Sequence, residues 1–147
     1  FIGIGRAKGK EVGPSIKMAI DNAKLNMIEI KRGCGSWQCG CGQAHSLPFE
    51  VVGTTGSVTV SLKPAPRGVS LAVGDVAKSL LTLAGVNDAW GFARGNTKTK
   101  VNYAMATFDA LRMTSRMRVT DEQAKTLNIV SGPTGVNYAE SEQQQEE

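Results

Sequence analysis

The chain has 147 residues, 41% hydrophobic and 5% aromatic with 17 glycines, enough for one or two small domains with a real core and many tight turns. No apolar run approaches the ~18 residues that read as a membrane span, and no segment has the layout of a signal peptide. The net charge of +4 hides an asymmetry, 16 Lys and Arg against 7 Asp and Glu over residues 1–118 but one Lys against 6 acids over 119–147, and a basic body with an acidic tail points to a polyanionic partner.

Residues 1–5, FIGIG, read as a short strand whose glycines permit close approach of another backbone. A lone edge strand is not stable, so partner strands are expected upstream. Residues 9–26 form an amphipathic helix, with Val12, Ile16, Ile20 and Ala23 on one face. Pro14 fits only in a first turn, so the helix starts near Val12 or Gly13. Lys10, Lys17, Lys24 and Lys31 recur every seven residues, a lysine stripe beside the apolar face. Such stripes are commonly solvated surface. Arg6, Lys8 and Lys10, however, crowd the helix start, where the dipole is already positive. Cations there are unfavourable unless an anion compensates, and sites that break a local rule are often functional.

Residues 27–31 alternate as a second strand. Residues 32–48, RGCGSWQCGCGQAHSLP, read as an irregular linker. Cys34, Cys39, Cys41 and His45 have the spacing C-x4-C-x-C-x3-H. Three thiolates and an imidazole are a complete tetrahedral zinc set with no position left for water, which implies a structural ion ordering a loop too glycine-rich to order itself. The competing reading is a glycine loop with three reduced thiols. A catalytic Cys–His pair lacks an Asn or Asp within the cluster to orient His45. Three closely spaced cysteines also argue against a secreted disulfide framework and for a reducing compartment.

Residues 49–52 and 57–62 alternate as a hairpin around the turn at 53–56. Residues 63–86, KPAPRGVSLAVGDVAKSLLTLAGV, combine a basic proline turn with an amphipathic helix. Pro64 and Pro66 fix φ and bias the preceding residues away from helix, Arg67 and Gly68 follow, and Gly85 suits a C-cap. This stretch has two readings: a turn before a core helix carrying Val76, Leu80 and Leu83, or a phosphate-binding loop at a helix start. Residues 88–93 are a further strand, and Gly95-Asn96-Thr97 a turn flanked by Arg94, Lys98 and Lys100. Val101, Ala104, Met105, Phe108 and Leu111 mark a last amphipathic helix, with Arg112, Arg116 and Arg118 suited to its C-terminal dipole. Thr120 and Gln123 resemble a capping box. From Ser131 the chain turns polar and ends in EQQQEE, a composition that favours disorder.

Two long stretches carry a resemblance. FIGIGRAKGKEVGPSIKMAIDNAKLNMIEIKRG resembles the end of the first domain of the small-subunit ribosomal protein S-five family, and PAPRGVSLAVGDVAKSLLTLAGVNDAWGFARGNTKTKVNYAMATFDAL resembles its second domain. The match covers roughly residues 1–115 in the family's order, and the cysteine-bearing linker resembles the archaeal branch. The resemblance implies an α+β fold. A partial double-stranded-RNA-binding-like domain, strand plus helix, would occupy residues 1–32. A possible zinc loop would fill 33–48, a βαβ-type S-five C-terminal domain with a left-handed crossover 49–118, and an acidic, partly disordered tail 119–147.

It further implies a cytoplasmic, non-enzymatic constituent of the small ribosomal subunit. Such a protein binds small-subunit ribosomal RNA, neighbours proteins of the S-four and S-eight families, and supports the messenger-entrance side and decoding accuracy. Arg6, Lys8 and Lys10 would then lie at the start of an RNA-facing helix, and Arg67 on an RNA-facing loop. Arg94, Lys98 and Lys100 would border another phosphate contact, and Lys17, Lys24, Lys31, Arg32 and Lys63 complete the candidate set. With 17 Lys and Arg against 8 aromatics, and no interleaving evident, RNA contact is expected to be mostly to backbone. A free-standing RNA-binding regulator is the alternative. A small-molecule kinase is a more distant one, since residues 66–71 only faintly echo a phosphate loop.

Overall fold

The computed structural model describes residues 1–132 and the backbone of 136–137. In chain order the elements are β1 (Ile2–Gly3), α1 (Val12–Leu25), β2 (Met27–Ile28), β3 (Lys31–Arg32), β4 (Val51–Thr55), β5 (Val58–Pro64), β6 (Leu71–Ala72), α2 (Asp75–Leu83), β7 (Ala89–Arg94), α3 (Lys100–Arg116), α4 (Asp121–Thr126), β8 (Val130–Ser131) and β9 (Val136–Asn137). The architecture is α+β.

The main sheet has the order β4-β5-β7-β6, with β6 parallel to β7 across the α2 crossover and the other pairs antiparallel. Its inner face is built by strand alternation. Val51 on β4 and Val58, Val60 and Leu62 on β5 are buried, and α3 lies over β4 and β5 with Ala106, Ala110 and Leu111 inward. Burying each Leu or Val side chain contributes about 1.5–3 kcal/mol. Thr59, Ser61 and Lys63 therefore share the opposite face with their cross-strand partners Arg94, Phe92 and Trp90.

The hairpin differs from the four-residue turn expected at 53–56. Gly53 pairs with Val60 inside the ladder, and only Gly56 and Ser57 turn the chain. A Cβ at Gly53 would stand 2.2 Å from the Ala106 carbonyl oxygen. The glycine is thus required by the approach of α3, not by the turn.

The helices begin and end largely as their local signals direct. α1 starts at Val12 with Pro14 in its first turn. α2 ends in a Schellman arrangement: Gly85, at φ 77°, donates to Thr82 O and Val86 donates to Leu81 O. Thr120 and Gln123 form the capping box of α4. The inner faces depart from the periodic reading. α2 buries Ala77 and Leu81, with Val76 and Leu80 partly buried, while Leu83 is 77% exposed. The face of α1 bearing Val12, Ile16 and Ile20 is uncovered among the described residues.

The first two strands pair with each other. β1 is antiparallel to β2, Ile2 opposite Ile28, so its partner lies within this chain. The expected 27–31 strand is two pieces, because Arg32 and Lys31 turn to pair with Val130 and Ser131 of β8. Ser131 therefore belongs to a strand, and the disorder expected beyond it falls mostly on positions outside the described residues.

The 33–48 stretch is less irregular than its glycines suggest. Gly33 and Ser46 exchange backbone hydrogen bonds, Gly35 donates to Leu47 O, and Leu47 is fully buried. Among the described residues no helix is long and apolar enough to cross a membrane.

Candidate metal centre and nucleic-acid interface

The loop closed by the Gly33–Ser46 bridge folds its four expected ligands onto one point. Ligand atoms of Cys34, Cys39, Cys41 and His45 all lie within 4.8 Å of one another. Cys34 Sγ is 3.7 Å from Cys41 Sγ, and Cys39 Sγ is 3.6 Å from His45 Nε2. Tetrahedral zinc, with Zn–S about 2.3 Å and Zn–N about 2.0–2.1 Å, sets sulfur–sulfur separations of about 3.8 Å and sulfur–nitrogen separations of about 3.6 Å. The residues fit the ion. The three cysteines are free thiols.

The thiols are electrostatically unequal. Burial, followed by hydrogen bonds with Cys39 and Cys41, pushes the Cys34 thiol up to about 12. The Arg67 backbone amide, aided by Cys41, draws the Cys39 thiol down to about 6. Arg67 thus meets the cluster through its main chain.

Behind the cluster stands a buried carboxylate. His45 Nδ1 and Asp88 Oδ2 are 2.8 Å apart, and both side chains are only 7% exposed. With Nδ1–H donating to the carboxylate, Nε2 keeps its lone pair toward the thiols, the arrangement in which an outer carboxylate orients a metal-binding imidazole. The other Asp88 oxygen accepts from the amides of Gly68 (3.1 Å) and Ser70 (2.8 Å). Ser46, fully buried, donates from Oγ to Asp88 O and accepts from the Ala65 amide.

The 66–70 loop is therefore clamped from beneath. Gly68 (φ 94°) and Ser70 (φ 62°) both occupy the left-handed region, and Ser70 tolerates it because Asp88 holds its amide. The loop does not lead straight into a helix, since β6 intervenes and α2 begins at Asp75. The amides that a phosphate loop would offer to a ligand are taken by Asp88.

The expected basic residues fall into two groups. Arg6, Lys8, Lys10, Lys17, Lys24, Arg67, Arg94, Lys98 and Lys100 are exposed. Only Lys17 and Lys24 of the lysine stripe lie on α1. Lys10 precedes the helix, and Lys24 pairs with Asp21 at 3.2 Å in solvent. The first turn of α1 holds no acid to offset the cations before it.

The second group is engaged by the fold. Lys31 Nζ donates to Met117 O, Arg32 donates to Gly85 O at the end of α2, and Lys63 pairs with Glu50 at 3.5 Å.

Sequence reasoning missed Asp88 and Ser46. Asp88 is the one acid between Asp75 and Asp109, set between the glycine end of a helix and a buried strand. An isolated acid at such a place is a signal, but its three partners, Ser70, Gly68 and His45, lie 18, 20 and 43 residues away.

Residues 53–126, half of the chain, match the family model described as ribosomal protein S5, C-terminal domain. That places the chain in the class of ribosomal proteins. It is 61% identical over 135 residues to the small ribosomal subunit protein uS5 of Picrophilus torridus, covering 92% of this chain and 61% of the relative. Its identity to the uS5 proteins of Thermoplasma acidophilum (57% over 132 residues, 90% of this chain and 60% of the relative) and Methanothermobacter thermautotrophicus (50% over 131 residues, 89% and 61%) is similar. The chain belongs to the S5 family, in its archaeal-type uS5 branch. It spans about 60% of the length of these relatives.

Proposed function

We propose that this chain serves as a structural constituent of the small ribosomal subunit in the cytoplasm. It binds ribosomal RNA and supports the messenger-entrance side of the subunit and decoding accuracy. The observation that carries this reading is the 61% identity, along 92% of the chain, to a protein named for the small ribosomal subunit. Neighbouring proteins of the S-four and S-eight families complete the proposed surroundings.

In this reading residues 1–32 close a first, RNA-binding-like domain, 33–48 are a zinc loop, 49–118 the C-terminal S-five domain, and 119–147 an acidic tail. The exposed cations Arg6, Lys8, Lys10, Lys17, Lys24, Arg67, Arg94, Lys98 and Lys100 contact RNA phosphates. Lys31, Arg32 and Lys63 share their charge with the fold and contribute less.

Cys34, Cys39, Cys41 and His45 hold a structural zinc ion, which when bound supplies a tetrahedral cross-link and no catalysis. Asp88 connects that centre to the loop bearing Arg67, so the ion braces an RNA-facing arm. The support is the ligand spacing together with the His45–Asp88 contact of 2.8 Å. Metal analysis of purified protein at neutral pH is expected to return one zinc per chain, and Cys39→Ser is expected to lose it. Zinc-free wild-type protein refutes the metal assignment.

Co-sedimentation with small ribosomal subunits at moderate salt tests the ribosomal role. Failure to co-sediment while still binding RNA favours the free-standing regulator. The kinase-like alternative loses its support, because Asp88 occupies the amides of Gly68 and Ser70.

A further inference from the structure

The outer face of the main sheet combines aromatic rings and cations. Trp90, Phe92 and Arg94 alternate along β7 and so project from one side, about 7 Å apart in succession. Across the ladder they face Lys63, Ser61 and Thr59 of β5. The faces of β4, β5 and β7 away from the helices thus share a single surface. Two adjoining hollows mark it. One, of about 400 Å³, is lined by Glu50, Lys63, Phe92 and Arg94 among others. The next, of about 380 Å³, shares Glu50 and Lys63 and continues to Trp90 and Trp37.

Two of the three rings are open to water. Trp37 is 91% exposed and Phe92 59% exposed. An almost fully exposed tryptophan forgoes one of the largest burial gains a side chain offers. Cations flank the rings. Lys63 Nζ lies 5.9 Å from the centroid of Phe92 while also pairing with Glu50. Arg94 has no ion-pair partner among the described residues. Lys98 and Lys100 carry positive charge onward from the end of β7.

Protein interfaces also gather aromatic rings and Arg, so the rings alone do not choose the partner. The exposed cations Arg94, Lys98 and Lys100, in no ion pair among the described residues, match a polyanion. This face sets Trp90 and Phe92 side by side, with Lys63 across from Trp90, Arg94 beyond Phe92, and Glu50 as its one acid among the described residues. That is the composition that takes up unpaired nucleotides, bases stacking on aromatic faces and phosphates meeting cations. We propose that this sheet face is a binding site for single-stranded RNA, with Phe92 and Trp37 as stacking platforms, Trp90 as the floor between them, Arg94 as the main phosphate contact and Lys63, which shares its charge with Glu50, as a lesser one. The inference rests on the RNA-binding reading above. It adds base stacking on one defined surface to the mostly backbone contact expected from the sequence.

The test compares a short single-stranded oligouridine with a blunt RNA duplex of about 16 base pairs, the length a double-stranded-RNA-binding fold spans. Oligouridine is expected to quench tryptophan fluorescence. Phe92→Ala and Trp37→Ala should each weaken its binding by about tenfold and leave duplex affinity unchanged. Both positions are exposed, and an unchanged circular dichroism spectrum checks that each variant is folded.

Oligouridine affinity that survives both substitutions overturns the stacking site, even where the duplex still binds. Loss of all RNA binding by the wild-type protein refutes the broader RNA reading instead. In assembled small subunits, hydroxyl-radical footprinting of Trp37 and Phe92 tests the same face independently. Protection removed by ribonuclease supports the proposal, and protection that survives ribonuclease identifies a protein on the face and overturns it.

Discussion

Asp88 joins two parts of the molecule that the linear chain separates. One oxygen orients His45, and the other holds the amides of Gly68 and Ser70. Both side chains of the His45–Asp88 pair are buried, so replacing the carboxylate removes a hydrogen bond in a place where water cannot substitute. Asp88→Asn is expected to lower zinc affinity 10- to 100-fold in a chelator competition, the usual cost of losing an outer carboxylate. The same change weakens the clamp on Ser70, whose left-handed backbone costs about 1–3 kcal/mol when unsupported. Faster amide exchange at Gly68 and Ser70 in Asp88→Asn would register that loss, and unchanged exchange would show that the loop holds itself.

At the scale of elements, the contact between α3 and β4 depends on small residues. Gly53 faces the backbone of Ala106 and Ala110, and an added methyl would stand 2.2 Å from a carbonyl oxygen. Gly53→Ala is expected to destabilise the fold by about 1–3 kcal/mol in urea titration, with little change in the denaturant slope. A neutral result would mean that α3 can slide outward. Periodicity located α3 but weighted its large residues. The buried face includes Tyr103, Ala106, Thr107, Ala110 and Thr114 as well as Leu111, while Val101 is 54% exposed. Close packing selected the small side chains, because a helix can lie on a strand at Gly53 only where both surfaces are thin. The same correction applies to α2, where Ala77 and Leu81 are buried and Leu83 is not.

On the scale of the whole molecule, charge separates from stability. Lys10 and Arg67 are exposed, and neither appears in an ion pair among the described residues. Lys10→Glu and Arg67→Glu are therefore expected to leave the melting transition within about 0.5 kcal/mol of wild type. Each should weaken binding to small-subunit ribosomal RNA and reduce the slope of log affinity against log salt by about one. If both variants bind with the wild-type salt slope, the RNA face lies elsewhere on the chain.

Much of this protein was legible in its sequence. The clustered Cys34, Cys39, Cys41 and His45 lie within twelve consecutive residues, so loop geometry alone could bring them together. Pro14, Gly85 and the Thr120–Gln123 pair act within a few residues of themselves, and α1, the end of α2 and the α4 cap follow from them. The two long family stretches likewise pointed to the S5 family, to which the chain belongs.

What only the tertiary structure decided were pairings across many residues. The alternation Trp90, Phe92, Arg94 was readable as a strand, but not that its outward side meets Lys63 and adjoins Trp37. Nor did the sequence reveal that the cysteine loop and the Arg67 loop share Asp88. A local signal is set by a few neighbouring dihedrals and side chains. A shared carboxylate or a common sheet face exists only once strand register has been chosen, and that choice is made by the whole core.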